Sequence, residues 1–432
     1  MDCKKICEYC LLYIEFIQVY AAILLYLKAL HDQPNLDNSI AVFYPTQPLT
    51  TGYEWWYNLP YLKFYSIVTH EPDESLNFSK MTLKPFENIN QVPKNFTTQS
   101  IVHVTLMPEV FYQREMIVQN GKIIRLFSFA EANFWYPVKR TTRYFDELVH
   151  YVQHWTMYGH NIHDFLCAMM FVPKDLMEKG IVVVSPHLFQ KITYDIARYL
   201  DLNITFVSIK DNEQFFVRKL WIVHTLELAH GYASGGFQKI REIVFKKEDY
   251  KYIMPERYVV ANRPKKSLRC ISDANYLVKI LNENTIIEKG SKWIRDDKFY
   301  DVPLAEIIKY WMSLKILVTI QGSGIYNSIF MHETTGMVLL FSNVADGPNM
   351  QLCSHLHIFM IGVIHPNMQF RNKKPQMTNY TDMVTYTQRV VDAVYHGSWT
   401  NLEGVRGYYE PAYPVTNVTY FILNYNEYIR HW

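Results

Sequence analysis

The sequence predicts an α/β protein made of two successive doubly wound units of Rossmann type. Apolar runs of strand length alternate with amphipathic helical segments from Gly159 to Phe341, the order a mostly parallel sheet requires. Two of these runs, Ile316–Ile320 and Met337–Phe341, are almost without polar residues, as strands buried on both faces are. With 432 residues, 49% hydrophobic and 19% charged, the chain can fill two cores, and two units fit its length better than one giant sheet.

The first residues read differently. Lys4 and Lys5 precede an apolar stretch from Cys10 to Leu27, broken only by Glu15 and Gln18. That length approaches a membrane span, and the basic flank favours a cytoplasmic N-terminus. Residues 1–31 are therefore a candidate signal anchor, with an amphipathic helix packed on the protein as the alternative. Five N-x-[ST] triplets, at Asn77, Asn95, Asn203, Asn379 and Asn417, agree with passage through the secretory pathway.

Residues 32–235 are expected to form an N-terminal α/β unit with a β-rich start. Alternating runs from Ile101 to Phe127 predict antiparallel strands with a hairpin at Asn120-Gly121. A helix from Gly159 to Val172, a strand Ile181–Ser185, a helix Phe189–Leu200 and a strand Ile204–Ile209 follow. The glycine-rich stretch Gly231–Gly236 reads as a crossing between units. In residues 236–365 the expected order is strand Tyr258–Asn262, polar loop Arg263–Arg269, helix Ser272–Leu281, strand Thr285–Glu288, helix Leu304–Ser313 and strand Ile316–Ile320. Residues 366–432 form a polar, aromatic tail with a helix from Tyr380 to Tyr395.

Composition narrows the partners. Lys plus Arg is 43 against 41 for Asp plus Glu, so no nucleic-acid footprint is present. Six cysteines, without paired CxxC spacings, do not predict a disulfide scaffold or a zinc site, and Cys167, Cys270 and Cys353 read as buried thiols.

The stretch with chemical content is Gln321-Gly322-Ser323-Gly324, which ends one strand and opens a helix-compatible segment from Ile325 to Met331. Backbone N–H groups at such a helix start favour a phosphate, and Gly322 and Gly324 allow close approach of the chain. An ordinary βα turn that binds nothing has the same spacing. Elsewhere, Arg269 lies four residues before Asp273, an ion-pair spacing. Asn327 reads as a brace for the glycine-turn helix. Glu333 is either near a ribose or at the surface, and His154, Trp155 and Trp221 suit core packing.

The run Gln321-Gly-Ser-Gly-Ile-Tyr-Asn-Ser-Ile-Phe330 resembles the His-Gly-Ala-Gly-Leu-x-Asn-x-x-Phe signature of the family 61 glycosyltransferases, which include plant β-1,2-xylosyltransferases and eukaryotic O-linked N-acetylglucosaminyltransferases of the secretory pathway. Asn161-Ile-His163 resembles the start of the family's Asn/His helix. Arg263, with Arg269 and Asp273 behind it, resembles an Arg-containing strand end, and Pro303–Leu317 resembles the helix and strand leading to the glycine motif. The resemblance covers about residues 155 to 345.

It implies a GT-B-like fold, two Rossmann-type domains facing a cleft, with a UDP-sugar held mainly by the second domain. Implied donor contacts are Arg263, Arg269, Gln321, Gly322, Ser323, Gly324, Ile325 and Asn327. No obligatory metal or cofactor is implied. The reaction would transfer xylose or N-acetylglucosamine, with inversion, to a glycan or glycoprotein acceptor, in the lumen of the Golgi or endoplasmic reticulum. The chain departs from the family at two positions. Gln321 replaces a histidine and cannot carry a charge. Cys167 replaces an aspartate expected four residues after His163, on the same helix face. Either His163 or a displaced Asp164 serves as the base, or the chain is an inactive relative that binds a nucleotide sugar or glycan.

Overall fold

The computed structural model describes residues 66–68, 84–86, 102–113, 116–119, 122–125, 141–151, 158–170, 172, 174–185, 191–210, 213–225, 235–247, 250, 252–264, 267–297, 302–342, 347–365, 368, 374–399 and 407–409. The candidate anchor at residues 1–31 lies outside them. So do Asn77, Asn95 and Asn417, His154, Trp155, and the Asn120-Gly121 turn. Among the described residues no helix is long and apolar enough to cross a membrane.

In chain order the strands are β1 (Ser66–Val68), β2 (Lys84–Phe86), β3 (Val102–Gln113), β4 (Met116–Gln119), β5 (Lys122–Arg125), β6 (Thr141–Tyr151), β7 (Ile181–Ser185), β8 (Ile204–Ser208), β9 (Glu213–Thr225), β10 (Arg257–Val260), β11 (Trp293–Arg295), β12 (Leu314–Ile320), β13 (Gly336–Phe341), β14 (Phe359–Ile364) and β15 (Gly407–Tyr409). They form two sheets, ordered β5-β4-β3-β9-β6-β7-β8 and β11-β10-β12-β13-β14-β1-β15-β2. The expected antiparallel pairing is present, with Gln119 opposite Lys122.

The second sheet is parallel from β11 through β14, with β1 continuing the same direction. This is the mixed α/β, Rossmann-like architecture that the apolar runs predict. Odd and even positions feed opposite faces. Val259, Leu317, Met337 and Leu339 enter one core, while Tyr258, Val260, Ile316, Val318 and Val338 enter another. Both sets are essentially fully buried, which is why these strands carry almost no polar residue. The first core continues to Val149, Phe165, Ile181 and Ile196 beside the other sheet, so one apolar cluster joins the two sheets.

The helices expected at Ser272–Leu281, Leu304–Ser313 and Tyr380–Tyr395 are found at Ala274–Asn284, Leu304–Met312 and Tyr380–His396. Asp273 caps the first, accepting from the Tyr276 N–H at 2.9 Å. Asn379 caps the last, and Gly397 closes it in the left-handed conformation. Cys167, Cys270 and Cys353 are buried and form no disulfide, as expected.

Several expectations are corrected. Thr285–Glu288 is not a strand: the Thr285 N–H closes the preceding helix on Leu281, and Ile286 is 82% exposed. The edge position goes instead to Trp293–Arg295, because Trp293 is buried edge-on against Tyr258. Burial outweighs the β-propensity of Thr-Ile-Ile. Gly235 and Gly236 belong to a helix, Gly235–Lys246, and not to a crossing loop. The helix expected from Gly159 widens into a π-helix over Asn161–Leu166, between short α-turns. The segment after Gly324 is a 3₁₀-helix, Ser323–Phe330. Strands β6, β9 and β14 and the helix Gly347–His355 are not foreseen by the sequence.

His150 on β6 is buried, bonded through Nδ1 to the Tyr112 hydroxyl at 3.0 Å. Burial lowers its pKa from 6.5 to about 3. The folded state therefore binds fewer protons than the unfolded one, and stability present above pH 6.5 is lost as pH falls toward 3. This one group is expected to cost about 2 kcal/mol between pH 6.5 and 5. Urea unfolding of wild type and His150→Gln at pH 7, 6 and 5 checks it. An acid slope unchanged in the variant would assign the loss to other groups.

Candidate functional site

The strand order around β10 creates the site. From β10 the chain goes outward to β11 and then returns to β12 on the other side of β10. Crossovers therefore leave β10 and β12 in opposite directions, opening a crevice beyond their carboxyl ends, the usual ligand position in such sheets. Asn262 and Arg263 leave the end of β10, and Gln321 and Gly322 leave the end of β12.

Asn262 organises the first of these exits. Its Oδ1 accepts from the N–H groups of Arg263 and Ile271, at 2.9 and 3.0 Å, and its Nδ2 donates to the Ile271 carbonyl at 2.9 Å. Its own N–H donates to Asp297 Oδ1 at 3.0 Å. Arg263 and Ile271 are thus tied together at Asn262. Arg269 between them has a left-handed backbone, φ +62°, and is 8% exposed. A non-glycine residue held there marks a conformation imposed by its surroundings.

Both arginines reach the second exit. Gly322 has φ +150°, a region that glycine tolerates and side chains avoid. A Cβ on Gly322 would lie 3.1 Å from Arg263 Nη1 and 3.7 Å from Arg269 Nη2. The bare glycine leaves room for the Arg263 guanidinium against the turn, with that of Arg269 at ordinary contact distance beside it. Arg263 Nη1 is buried without a hydrogen-bond partner. The Asp273 carboxylate, the expected partner of Arg269, caps its own helix.

The glycine turn differs from the α-helix start expected. Its first helical bond runs from the Ile325 N–H to the Gly322 carbonyl at 3.0 Å, so the N–H groups of Ser323 and Gly324 precede it. In a 3₁₀-helix of this length the peptide dipoles add less well than in an α-helix. Ile325 is a core residue. Gln321 is fully buried and donates to Ser342 Oγ at 2.8 Å, bracing β12 to β13, while its Oε1 lacks a partner. The Gly322 N–H donates to Asn349 Oδ1 at 3.3 Å.

The helical segment beginning at Tyr158 docks on the same turn. A Cβ on Gly159 would lie 2.8 Å from the Tyr326 ring and 3.4 Å from Ser323 Cα, so only glycine permits the contact. The Tyr158 hydroxyl donates to Asn327 Oδ1. His163 stacks on Tyr326, ring centres 4.7 Å apart, and lies 4.6 Å from the His160 ring. It is 2% exposed. The Asp164 side chain is outside the described residues. A π-helix is rare and recurs at functional sites, and its wider turn removes the i+4 alignment expected between His163 and Cys167. Cys167 faces the core instead: a Cβ on Gly236 would lie 2.5 Å from its carbonyl oxygen. A carboxylate there would not point at the crevice.

Other candidates lie elsewhere. Glu333 precedes β13 at the opposite end of the sheet from Gly322, too far to meet a ribose at the turn. It pairs with Arg241 at 2.9 Å and His357 at 3.4 Å, and its hydrogen bond to His357 holds its pKa below the usual carboxylate value. Trp221 donates to Glu147 Oε1 at 2.7 Å on the other sheet. Tyr158, Tyr326, Asn262 and Asn349 were not read as site residues from sequence. Tyr326 stands inside the glycine motif and could have been found there, whereas Asn349 has no signal of its own.

Residues 158–338 match the family model Glycosyltransferase 61. A search of curated proteins gives no match. The matched stretch starts with the tyrosine that donates to Asn327 and ends within β13. It therefore contains the π-helix, both arginines and the whole glycine turn, and over residues 158–338 the chain is similar to the family 61 glycosyltransferases.

Proposed function

We propose that the protein transfers a sugar from a UDP-sugar donor to a glycan or glycoprotein acceptor. The observation that carries this is the convergence of Arg263 and Arg269 on Gly322, at the carboxyl ends of β10 and β12. Two guanidinium groups beside a bare turn suit a diphosphate, which accepts forked, charge-assisted hydrogen bonds. They would also stabilise the charge that grows on the departing UDP, commonly the largest catalytic contribution. In this reading the enzyme is GT-B-like. Residues 236–365 form the donor domain, residues 32–235 the acceptor side, and residues 366–432 a tail packing back on both. Gln321, Gly322, Ser323, Gly324, Ile325 and Asn327 shape the donor turn. Cationic side chains take the place of an obligatory metal. Xylose and N-acetylglucosamine are the favoured donor sugars, and transfer inverts the anomeric centre. His163 or Asp164 takes the acceptor proton, in the lumen of the Golgi or endoplasmic reticulum, with residues 10–27 as the anchor.

A second reading has its own support. His163 is 2% exposed and stacked on Tyr326, and an acceptor hydroxyl would need that packing to open. An inactive relative that only binds a nucleotide sugar fits this burial.

Calorimetry with the full-length protein tests both. Micromolar UDP binding, displaced by pyrophosphate, is expected under either. Release of UDP from a UDP-sugar in the presence of a glycan acceptor is expected only of the enzyme. A folded protein that binds no UDP would remove both readings.

A further inference from the structure

The Gly322 N–H, a natural donor for a phosphate at this turn, is already engaged by Asn349 Oδ1 at 3.3 Å. Asn349 comes from the first turn of the helix Gly347–His355, beyond the stretch that matches the family model. Its side chain is 1% exposed, and its Nδ2 is buried without a hydrogen-bond partner. A buried carboxamide with one half satisfied and the other idle costs free energy. A second polar atom in this state lies at the same glycine: Arg263 Nη1, 3.1 Å from where a Gly322 Cβ would lie, is also buried without a partner.

Asn349 and Arg263 are thus placed about one glycine, each with a donor that the protein itself does not use. An N–H of a carboxamide and an N–H of a guanidinium share one complementary partner, an anionic oxygen. Among the described residues Nδ2 has no hydrogen-bond partner, whereas Oδ1 ties the side chain to the Gly322 N–H.

We propose that Asn349 is a donor-binding residue, whose Nδ2 donates to a diphosphate oxygen of the nucleotide held by Arg263 and Arg269. This rests on the UDP-site reading above. It assigns the carboxamide two tasks: Oδ1 holds the Gly322 N–H and the shape of the turn, and Nδ2 contacts ligand. The Gly322 amide then supports the site indirectly, and side chains supply the donors that face the phosphates.

Two substitutions test the donor, one of which keeps the oxygen that holds the turn. Asn349→Asp keeps an oxygen for the Gly322 N–H, removes the donor and brings a negative charge toward the diphosphate. The neighbouring guanidinium groups compensate that charge in the absence of ligand, so the variant is expected to fold. Asn349→Leu keeps a branched side chain and adds no charge, but removes the donor together with the oxygen that accepts from the Gly322 N–H. UDP and pyrophosphate affinities are measured by calorimetry on full-length wild type, both variants and Arg263→Ala, with thermal melts as the folding control. Both Asn349 variants are expected to bind UDP and pyrophosphate at least about tenfold more weakly, the loss of one hydrogen bond to a charged group. Uridine, which lacks phosphate, is expected to be affected equally little by either change. Wild-type affinity in both variants, with Arg263→Ala impaired, overturns the role of Asn349 and leaves the UDP site standing. Weakening in Asn349→Asp alone also overturns it, since charge repulsion then explains the loss. Absence of UDP binding in wild type overturns the site itself and this inference with it.

Discussion

Replacing Arg263 by alanine is expected to weaken UDP binding about a hundredfold or more while leaving the protein as stable as wild type. The two halves of this expectation come from one observation. Arg263 Nη1 is buried with no hydrogen-bond partner, so its removal breaks no bond of Nη1 within the protein. The folded state even sheds a desolvation cost. With a diphosphate at Gly322 the same atom would make a charge-assisted bond, and a guanidinium commonly makes two such bonds to phosphate. Hydrogen bonds to charged groups contribute about 1.5–3 kcal/mol each, so loss of a forked pair amounts to about 3–5 kcal/mol, a factor of several hundred or more. Arg263→Lys keeps the charge without the fork and should fall between the two. Calorimetric titration and thermal melts of the three proteins make the comparison. A variant that melts lower and binds UDP normally would make Arg263 a structural residue and remove the main support for the donor site.

The second large effect is on folding. Gly236→Ala is expected to destabilise the protein by about 3 kcal/mol, at the upper end for overpacking by one methyl group. Alanine favours a helix over glycine by about 1 kcal/mol, so propensity alone predicts the opposite sign. Contact decides. The new Cβ would lie 2.5 Å from the Cys167 carbonyl oxygen and 2.6 Å from its Cα. These are backbone atoms, which cannot swing aside as a side chain does. The helices Gly235–Lys246 and Cys167–Met169 must separate, within a core that also holds Phe165, Ile240 and Val244. Because the Cys167 turn directly follows the π-helix bearing His163, the site should loosen too. Urea unfolding measures the first effect. Equal stability of the two proteins would show that this helix contact has slack.

Where a local rule and a tertiary demand agree, the sequence was sufficient. Ile316–Ile320 could only be a strand buried on both faces, because its apolar positions have no period that leaves a wet side, and β12 packs on both cores. Asp273 and Asn379 carry side-chain oxygens at the starts of the two expected helices, and both cap them. The pairing of Arg263 with the glycine turn is legible only through the family resemblance of the ordered motifs, since fifty-odd residues separate them and neither carries the other's position.

The tertiary structure decided the remainder. Thr285-Ile-Ile has the composition of a strand, yet Trp293 takes the place beside Tyr258 because it buries more apolar surface there. Gly236 reads in the sequence as part of a crossing between units, and only the approach of Cys167 shows that its missing Cβ serves packing. The π-helix, which sets where His163 points, leaves no periodic trace over six residues. Asn349 reaches Gly322 from twenty-seven residues away. Hydrophobic period and capping chemistry act over a few neighbouring residues, so a sequence can express them alone. Which distant backbone comes close to a glycine, and which buried amide keeps a hydrogen to give, depend on the closed packing of the whole fold.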